Sequence, residues 1–464
     1  MISLQDDPSC TPPKKDSNAF ASPSTPIDVQ LSSNSRDIGR DTTQQPKLME
    51  ITDFKMSSQY LAKYEKGGYW PGEIGQVIRN RYINIKLLGI GSFGTVWMAR
   101  DKTDDSYKAL KFAMTEHRDS AKLEVEIFKN IQSLGTHPGQ EHIVQFIESF
   151  RTKSDFGKHE VMCLEFVGPS LSAVRKRIGS LHLEHVRKIS IQLLNAIDFL
   201  HTKCRIIHCD LKPANMMIQI SPDDVKKVAI NGRQPDEIDE TSYVPTFYDI
   251  DFNDPDYEVR VKICDFGISM KSDGHCEFPV QSCNYRAPEA FLRNQFGPPI
   301  DIWSLGCTLF ELATGECLFT CSTFQENTAH MKDHLDKMSA ALGRIPHRLY
   351  EDNRRKRIYF DNNIENHNRA DQPNLFLNEI MSEQEHISEE DADVFVEFVH
   401  CFFHYDTKMR VTAATALQHS FLSKMRGMFD HSFEDELNSN MLSHKNDTNE
   451  EVLGESDDDG SPFD

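Results

Sequence analysis

The sequence predicts an α+β fold in two lobes: a small β-rich N-terminal lobe and a larger, mainly helical C-terminal one. Three observations predict it. Tyr82-Ile83-Asn84-Ile85-Lys86-Leu87-Leu88 alternates apolar and polar residues as a strand does, and a glycine-rich run leads directly into a second strand-like segment, Thr95-Val96-Trp97-Met98-Ala99. Val186 to His201 is apolar enough for a buried helix. From Asp301 onward the pattern is mostly helical.

In chain order, residues 1–55 are rich in Ser, Thr, Pro, Asp and Gln with little periodicity, and are expected to be a disordered tail. Ordered sequence is expected from about residue 60, near Tyr64-Glu65-Lys66-Gly67-Gly68-Tyr69, to about 425. Ser120 to Ile131 has helical spacing, with Leu123, Ile127 and Ile131 on one expected face. The polar, acidic stretch 221–258 precedes the strand-like Val259-Arg260-Val261-Lys262-Ile263. With Asn231-Gly232 and Pro235 inside it, it reads as an insertion with little structure of its own. Residues 426–464 are acidic and read as a second disordered tail.

A chain of 464 residues can hold a two-lobed domain plus tails. Its 51 Lys and Arg against 72 Asp and Glu give a net charge of −21. That balance argues against direct nucleic-acid binding, which needs a basic surface, and suits a basic protein partner. The eleven cysteines form no CxxC pair, so they read as reduced thiols of cytoplasm or nucleus. There is no apolar run of membrane-spanning length and no secretory signal. No membrane partner is expected, and a monomer is assumed.

Chemistry concentrates in five motifs. Gly89-Ile90-Gly91-Ser92-Phe93-Gly94-Thr95-Val96 fills G-x-G-x-x-G-x-V, in which glycines let a strand–turn–strand close over phosphates. Alone this is weak, but a β-branched segment after Gly94 and a strand lysine at Lys111 disfavour a dinucleotide-binding turn. Lys111 suits the α- and β-phosphates, with a helix glutamate as partner; of Glu124 and Glu126, Glu124 is preferred. His208-Cys209-Asp210-Leu211-Lys212-Pro213-Ala214-Asn215 supplies a base (Asp210), a charge-neutralising Lys212 and a magnesium ligand (Asn215). Asp265-Phe266-Gly267 supplies the second magnesium ligand, Asp265. Ala287-Pro288-Glu289 closes the series, with Glu289 structural and Arg410 its expected buried partner. Asp301 is expected to anchor the catalytic-loop backbone. In this order the set resembles that of the protein kinases and implies ATP and Mg²⁺ as cofactors. The resemblance also places Leu88, Gly89, Gly91, Gly94 and Val96, with the connecting Leu164-Glu165-Phe166, around the nucleotide.

Within the kinases, Tyr64 to Tyr69, Gly94 to Asp101 and Phe310-Glu311-Leu312-Ala313-Thr314-Gly315-Glu316-Cys317-Leu318-Phe319 resemble the SR-protein (serine/arginine-rich protein) kinases. The related CDC-like (LAMMER) kinases come second. Both carry threonine where most kinases have a catalytic-loop arginine; here Cys209 stands there, also without the arginine's charge. The chain departs from these relatives at Cys283, where they show arginine. The LAMMER signature is not intact, the corresponding stretch reading Asp333-His334-Leu335-Asp336-Lys337-Met338-Ser339. The resemblance implies basic Arg/Ser-rich protein substrates docked by acids. Glu316 and Asp333 match, Glu326 lies near a matching position, and Ala340 falls where another acid is expected. The alternatives are a CDC-like dual-specificity kinase and a pseudokinase scaffold; retention of Lys111, Asp210, Asn215 and Asp265 argues against the scaffold.

Overall fold

The glycine-rich hairpin sits in a six-stranded sheet of order β1-β2-β3-β4-β6-β5. Its strands are β1 (Val77–Ile78), β2 (Tyr82–Gly91), β3 (Gly94–Asp101), β4 (Tyr107–Ala113), β5 (Phe146–Ser154) and β6 (Gly157–Glu165), each pair antiparallel. The computed structural model describes residues 68–231, 250–274, 280–292, 294–321, 328–350, 373–384 and 387–423. Both expected tails lie outside them. Between β4 and β5 runs helix α1 (Arg118–Ser133). Its buried face is Ala121, Glu124, Val125, Phe128 and Ile131, whereas Leu123 is 60% exposed. The face expected from Leu123, Ile127 and Ile131 is therefore rotated. The helix turns a carboxylate inward at Glu124, where Lys111 receives it, and that polar contact outweighs burial of one leucine.

The second lobe is helical. It contains α2 (Leu171–Ile178) and α3 (Leu183–Asp198), which runs on through a π-helical turn, Phe199–Cys204. Short strands β7 (Ile206–Ile207) and β8 (Met216–Ile218) bracket the catalytic loop. Helix α4 (Pro222–Asn231) follows, then β9 (Val261–Ile263) and β10 (Met270–Lys271). Helices α5 (Pro288–Phe291), α6 (Pro299–Thr314), α7 (Thr328–Leu342), α8 (Pro373–Ser382), α9 (Glu389–His400) and α10 (Ala413–Ala416) complete it. α6 is apolar around nearly its whole circumference and buried from Ile300 to Thr314, as expected of a helix at the centre of a lobe. No described helix is long and apolar enough to cross a membrane.

The inserted segment is more structured than its composition suggests. Ser221 caps α4, its hydroxyl accepting from the Asp224 N–H at 3.1 Å, and Pro222 stands in the first turn, where a missing N–H has no cost. Val228 of α4 is fully buried. At the far end, Lys188 donates to the carbonyls of Asp256 and Tyr257, and Phe252 joins the core. Two of the acids that suggested a loop, Asp223 and Asp224, lie in the helix's first turn, beside its positive end. Residues 232–249 lie outside the described part.

β2 shows what α4 does. Its buried side chains are the polar Asn84 and Lys86 together with Tyr82 and Leu87, and Lys86 Nζ donates to the Val228 carbonyl at 3.0 Å. Burial pushes the Lys86 ammonium down from 10.5 to about 8. The unfolded chain thus binds a proton more tightly than the folded one, so this lysine lowers stability below about pH 8, and stability rises as pH climbs from about 8 to 10.5. Lys86→Met is expected to remove that rise, whose limiting slope is about 1.4 kcal/mol per pH unit. Urea denaturation of both proteins at pH 7 and pH 9 checks it; a stability difference that does not change with pH refutes the assignment.

Candidate active site

β4 carries Lys111 opposite Val96 of β3, so the lysine emerges beside the glycine-rich turn. Its ammonium meets both Glu124 carboxylate oxygens, at 2.7 and 2.9 Å, and Asp265 Oδ1 at 2.8 Å. Glu126, the competing helix acid, points to solvent. Burial opposes the Lys111 charge, but Asp265 and Glu124 outweigh it and hold the ammonium above its ordinary value. The Lys111 charge in turn holds the Asp265 carboxyl down at about 2, while burial pushes Glu124 up against the pull of the lysine. Phe266 follows and is buried against Phe128 of α1 and His208 of the catalytic loop, with ring centroids 5.1 and 4.9 Å away. One aromatic side chain thereby couples the helix that carries Glu124 to the loop that carries Asp210.

The catalytic loop hangs from α6. Asp301 accepts the His208 N–H at 2.7 Å, the Cys209 N–H at 2.9 Å and His201 Nε2 at 2.9 Å. Cys209 is fully buried at φ 68°, and its thiol donates to the Ile207 carbonyl at 3.6 Å. Asp210 is held on both oxygens: Oδ1 accepts from the Ser282 hydroxyl at 2.8 Å and from the Ser282 N–H at 3.2 Å. Oδ2 meets Asn215 Nδ2 at 3.1 Å and Lys212 Nζ at 2.8 Å. Lys212 also donates to the Ser282 hydroxyl at 2.9 Å. Asp210, Lys212, Asn215 and Ser282 thus form one connected polar network.

The glycine turn fits a phosphate chain. A Cβ at Gly94 would lie 2.0 Å from the Phe112 carbonyl, so only glycine allows β3 to sit this close to β4. At Gly89 a Cβ would meet nothing within 4 Å, and at Gly91 only the Gly94 carbonyl at 3.8 Å, which leaves space beside the turn for a ligand. Leu88 and Val96 are half-buried against the larger core, and Leu164 is 9% exposed where β6 ends. Glu165 is taken up by Lys262 at 2.7 Å and the Gln145 N–H at 2.7 Å; Phe166 beside it is half-buried. The open turn, one ammonium and the carboxylate and amide at Asp265 and Asn215 suit a magnesium–nucleotide, which is hard-cation and phosphate chemistry.

Farther out, Arg410 grips Glu289 with two nitrogens at 2.7 and 3.1 Å, both side chains buried. Two contacts lay beyond the sequence reading. Tyr69 donates its phenol to the Gly91 carbonyl at 2.8 Å and so steadies the glycine turn. Ser282 was visible only as one of few hydroxyls after Asp265; its reach to Asp210 spans 72 residues. Of the docking acids, Glu316 is exposed, Asp333 pairs with Lys337 at 2.8 Å, and Glu326 lies outside the described residues. None of the described cysteines forms a disulfide.

The protein kinase domain family matches residues 82–422. The chain is 30% identical over 396 residues to the serine/threonine-protein kinase SRPK of Physarum polycephalum, covering 80% of this chain and 92% of that one. It is 23% identical to SRSF protein kinase 3 of Mus musculus, over 78% of this chain and 89% of that one. It is 27% identical to the dual specificity protein kinase CLK4 of Homo sapiens, over 78% and 70% respectively. With the two-lobed fold and the Lys111–Glu124–Asp265 cluster beside the glycine turn, the chain belongs to the protein kinase family, as an ATP- and magnesium-dependent serine/threonine kinase of the SR-protein kinase branch.

Proposed function

We propose that this kinase phosphorylates serines in basic, Arg/Ser-rich proteins of the splicing machinery, in cytoplasm and nucleus, and that it does so without activation-loop phosphorylation. The observation that carries the reading is the network around Asp210. In a kinase with an arginine beside the catalytic aspartate, a loop phosphate neutralises that arginine and orders the loop. Here the neighbour is the buried thiol of Cys209, and the described residues of the loop are held by contacts that need no phosphate. β10 pairs with β7 at Met270–Ile207 and Lys271–Ile206. Gln281 donates to Ile300 O and Ser304 Oγ, and its Oε1 accepts the Ala287 N–H. Arg286 donates to the Val280 and Gln281 carbonyls. Three of the loop's four hydroxyl residues are already engaged: Ser269 with His208 O, Ser282 with Asp210, and Tyr285 with Glu311. A phosphate on any of these three would break a contact that shapes the site.

In the proposed mechanism, bound ATP and magnesium supply the γ-phosphoryl group and most of its charge neutralisation. Ser282 and Asn215 fix the Asp210 carboxylate, which orients the substrate hydroxyl and takes its proton. Lys212 lies 2.8 Å from that carboxylate and offsets charge on the transferring group. Lys111, aligned by Glu124, would hold the α- and β-phosphates, and Asn215 and Asp265 would hold the metal.

Substrate preference follows from charge. The net −21 attracts a basic chain at long range, and Glu316 is exposed for docking. On α7 the ion pairs Asp333–Lys337 and Lys332–Asp336 balance one another, so Glu316 is the stronger contributor. A peptide-library assay is expected to select Arg/Ser repeats. Glu316→Lys should raise KM for them without changing KM for ATP, and the preference should weaken in high salt as the Debye length shrinks to ~3 Å at 1 M. Acidic or neutral peptides outcompeting Arg/Ser repeats would overturn this specificity.

A further inference from the structure

Beside the loop that holds Asp210 lies a cluster that phosphoryl transfer does not use: Cys283, Cys321, His330 and His334. Cys283 follows Ser282 directly, Cys321 lies beyond the end of α6, and the two histidines stand four residues apart on α7, on one face. One ligand atom from each residue can be chosen so that all four lie within 4.8 Å of one another. Cys321 Sγ is 2.8 Å from Cys283 Sγ, 3.0 Å from His334 Nε2 and 3.8 Å from His330 Nε2. Both imidazoles are buried, at 3% and 0% exposure. His334 Nδ1 is shut away from water with no hydrogen-bond partner, and its ring is held in place by stacking on Phe291 at 5.0 Å.

We propose that these four side chains form a structural zinc site that staples the substrate-side loop to α7. Two thiolates and two imidazoles are a soft and borderline donor set, which selects zinc over magnesium or calcium. Bonds of about 2.3 Å to sulfur and 2.0 Å to nitrogen place tetrahedral ligands roughly 3.3–3.8 Å apart, so the closest pairs need to open by about 1 Å and no pair needs to close by more than about 1.5 Å to accept the ion. On binding, each cysteine gives its proton to solvent and both thiolates donate to the metal. The charge of Zn²⁺(S⁻)₂ is then zero, which a partly buried site tolerates. The zinc holds Cys283, and through the chain it holds Ser282 against Asp210. On the proposed mechanism it therefore steadies the catalytic base with a metal where other kinases use a phosphate.

The test begins with metal analysis of the full-length protein purified without chelator. About one zinc ion per chain is expected, lost in both Cys321→Ser and His334→Ala and kept in Cys317→Ser, whose thiol lies outside the cluster. The protein stripped by chelator and titrated with cobalt should show a thiolate-to-cobalt charge-transfer band and tetrahedral ligand-field bands. That readout requires no variant to fold. Zinc restored to the stripped protein should raise Tm and kcat together, whereas nucleotide binding should not change. Three results overturn the site: zinc below roughly a tenth of an equivalent in the native protein, zinc retained by both ligand variants, or a Cys283–Cys321 disulfide in protein alkylated during lysis. Metal binding does not depend on the substrate, so failure of the Arg/Ser reading would leave this result unaffected.

Discussion

Asp210→Asn is expected to lower kcat by about 10²–10⁴-fold and to leave ATP affinity close to normal. The amide keeps the shape of the carboxylate and can still accept from Ser282, but it cannot take the substrate's proton. Asp265→Ala is expected to act differently. Asp265 lies 2.8 Å from Lys111 and is held ionised by it down to about pH 2, so its removal takes away a counter-charge and, on the proposed mechanism, a metal ligand. Magnesium-dependent nucleotide binding should weaken along with turnover. Calorimetric titration with ATP in the presence and absence of magnesium, beside steady-state kinetics, separates the two variants. Matching binding and kinetic profiles would contradict the roles given to these carboxylates.

The second large effect concerns stability. Glu289 and Arg410 are 121 residues apart in sequence, and their buried side chains tie the segment after the activation loop to the end of the domain. The Arg410 guanidinium also donates to the carbonyls of His404 and Pro299 and lies over Trp303, 5.1 Å from its ring centre. Arg410→Ala leaves the Glu289 carboxylate in a dry site without its counter-charge, and a loss of about 3–5 kcal/mol is expected. Glu289→Gln, which retains an acceptor for one guanidinium nitrogen, should cost less. Thermal denaturation of the three proteins orders them, and an Arg410→Ala Tm within error of the parent would contradict the burial argument.

What the sequence disclosed and what it hid follow a physical division. Lys111, Asp210, Asn215 and Asp265 were readable because each stands in a short motif whose spacing is set by local backbone chemistry. The strands flanking Gly94 were readable because a glycine turn between β-branched segments has few alternatives. Phase and long-range pairing were harder. Leu123 looks inward by hydrophobicity alone, yet an ion pair with Lys111 sets the rotation of α1. The α4 helix was masked by acids that are favourable in a helix's first turn. Buried Asn84 and Lys86 invert the simple expectation for an alternating strand, because the polar face of β2 is covered by neighbouring chain. Ser282 and the Cys283–Cys321–His330–His334 cluster join residues whose proximity is created only by the packing of the loop against α6 and α7.

The proposed mechanism has Asp210 as the base, held by Ser282, Asn215 and Lys212 beside the buried Cys209, with no need of a phosphate in the activation loop. Its most direct test is the turnover of the bacterially expressed protein on an Arg/Ser peptide, before and after phosphatase treatment, with mass spectrometry showing the loop free of phosphate. The expected result is an unchanged kcat; a large loss of activity, restored when the loop is phosphorylated again, would contradict the proposal.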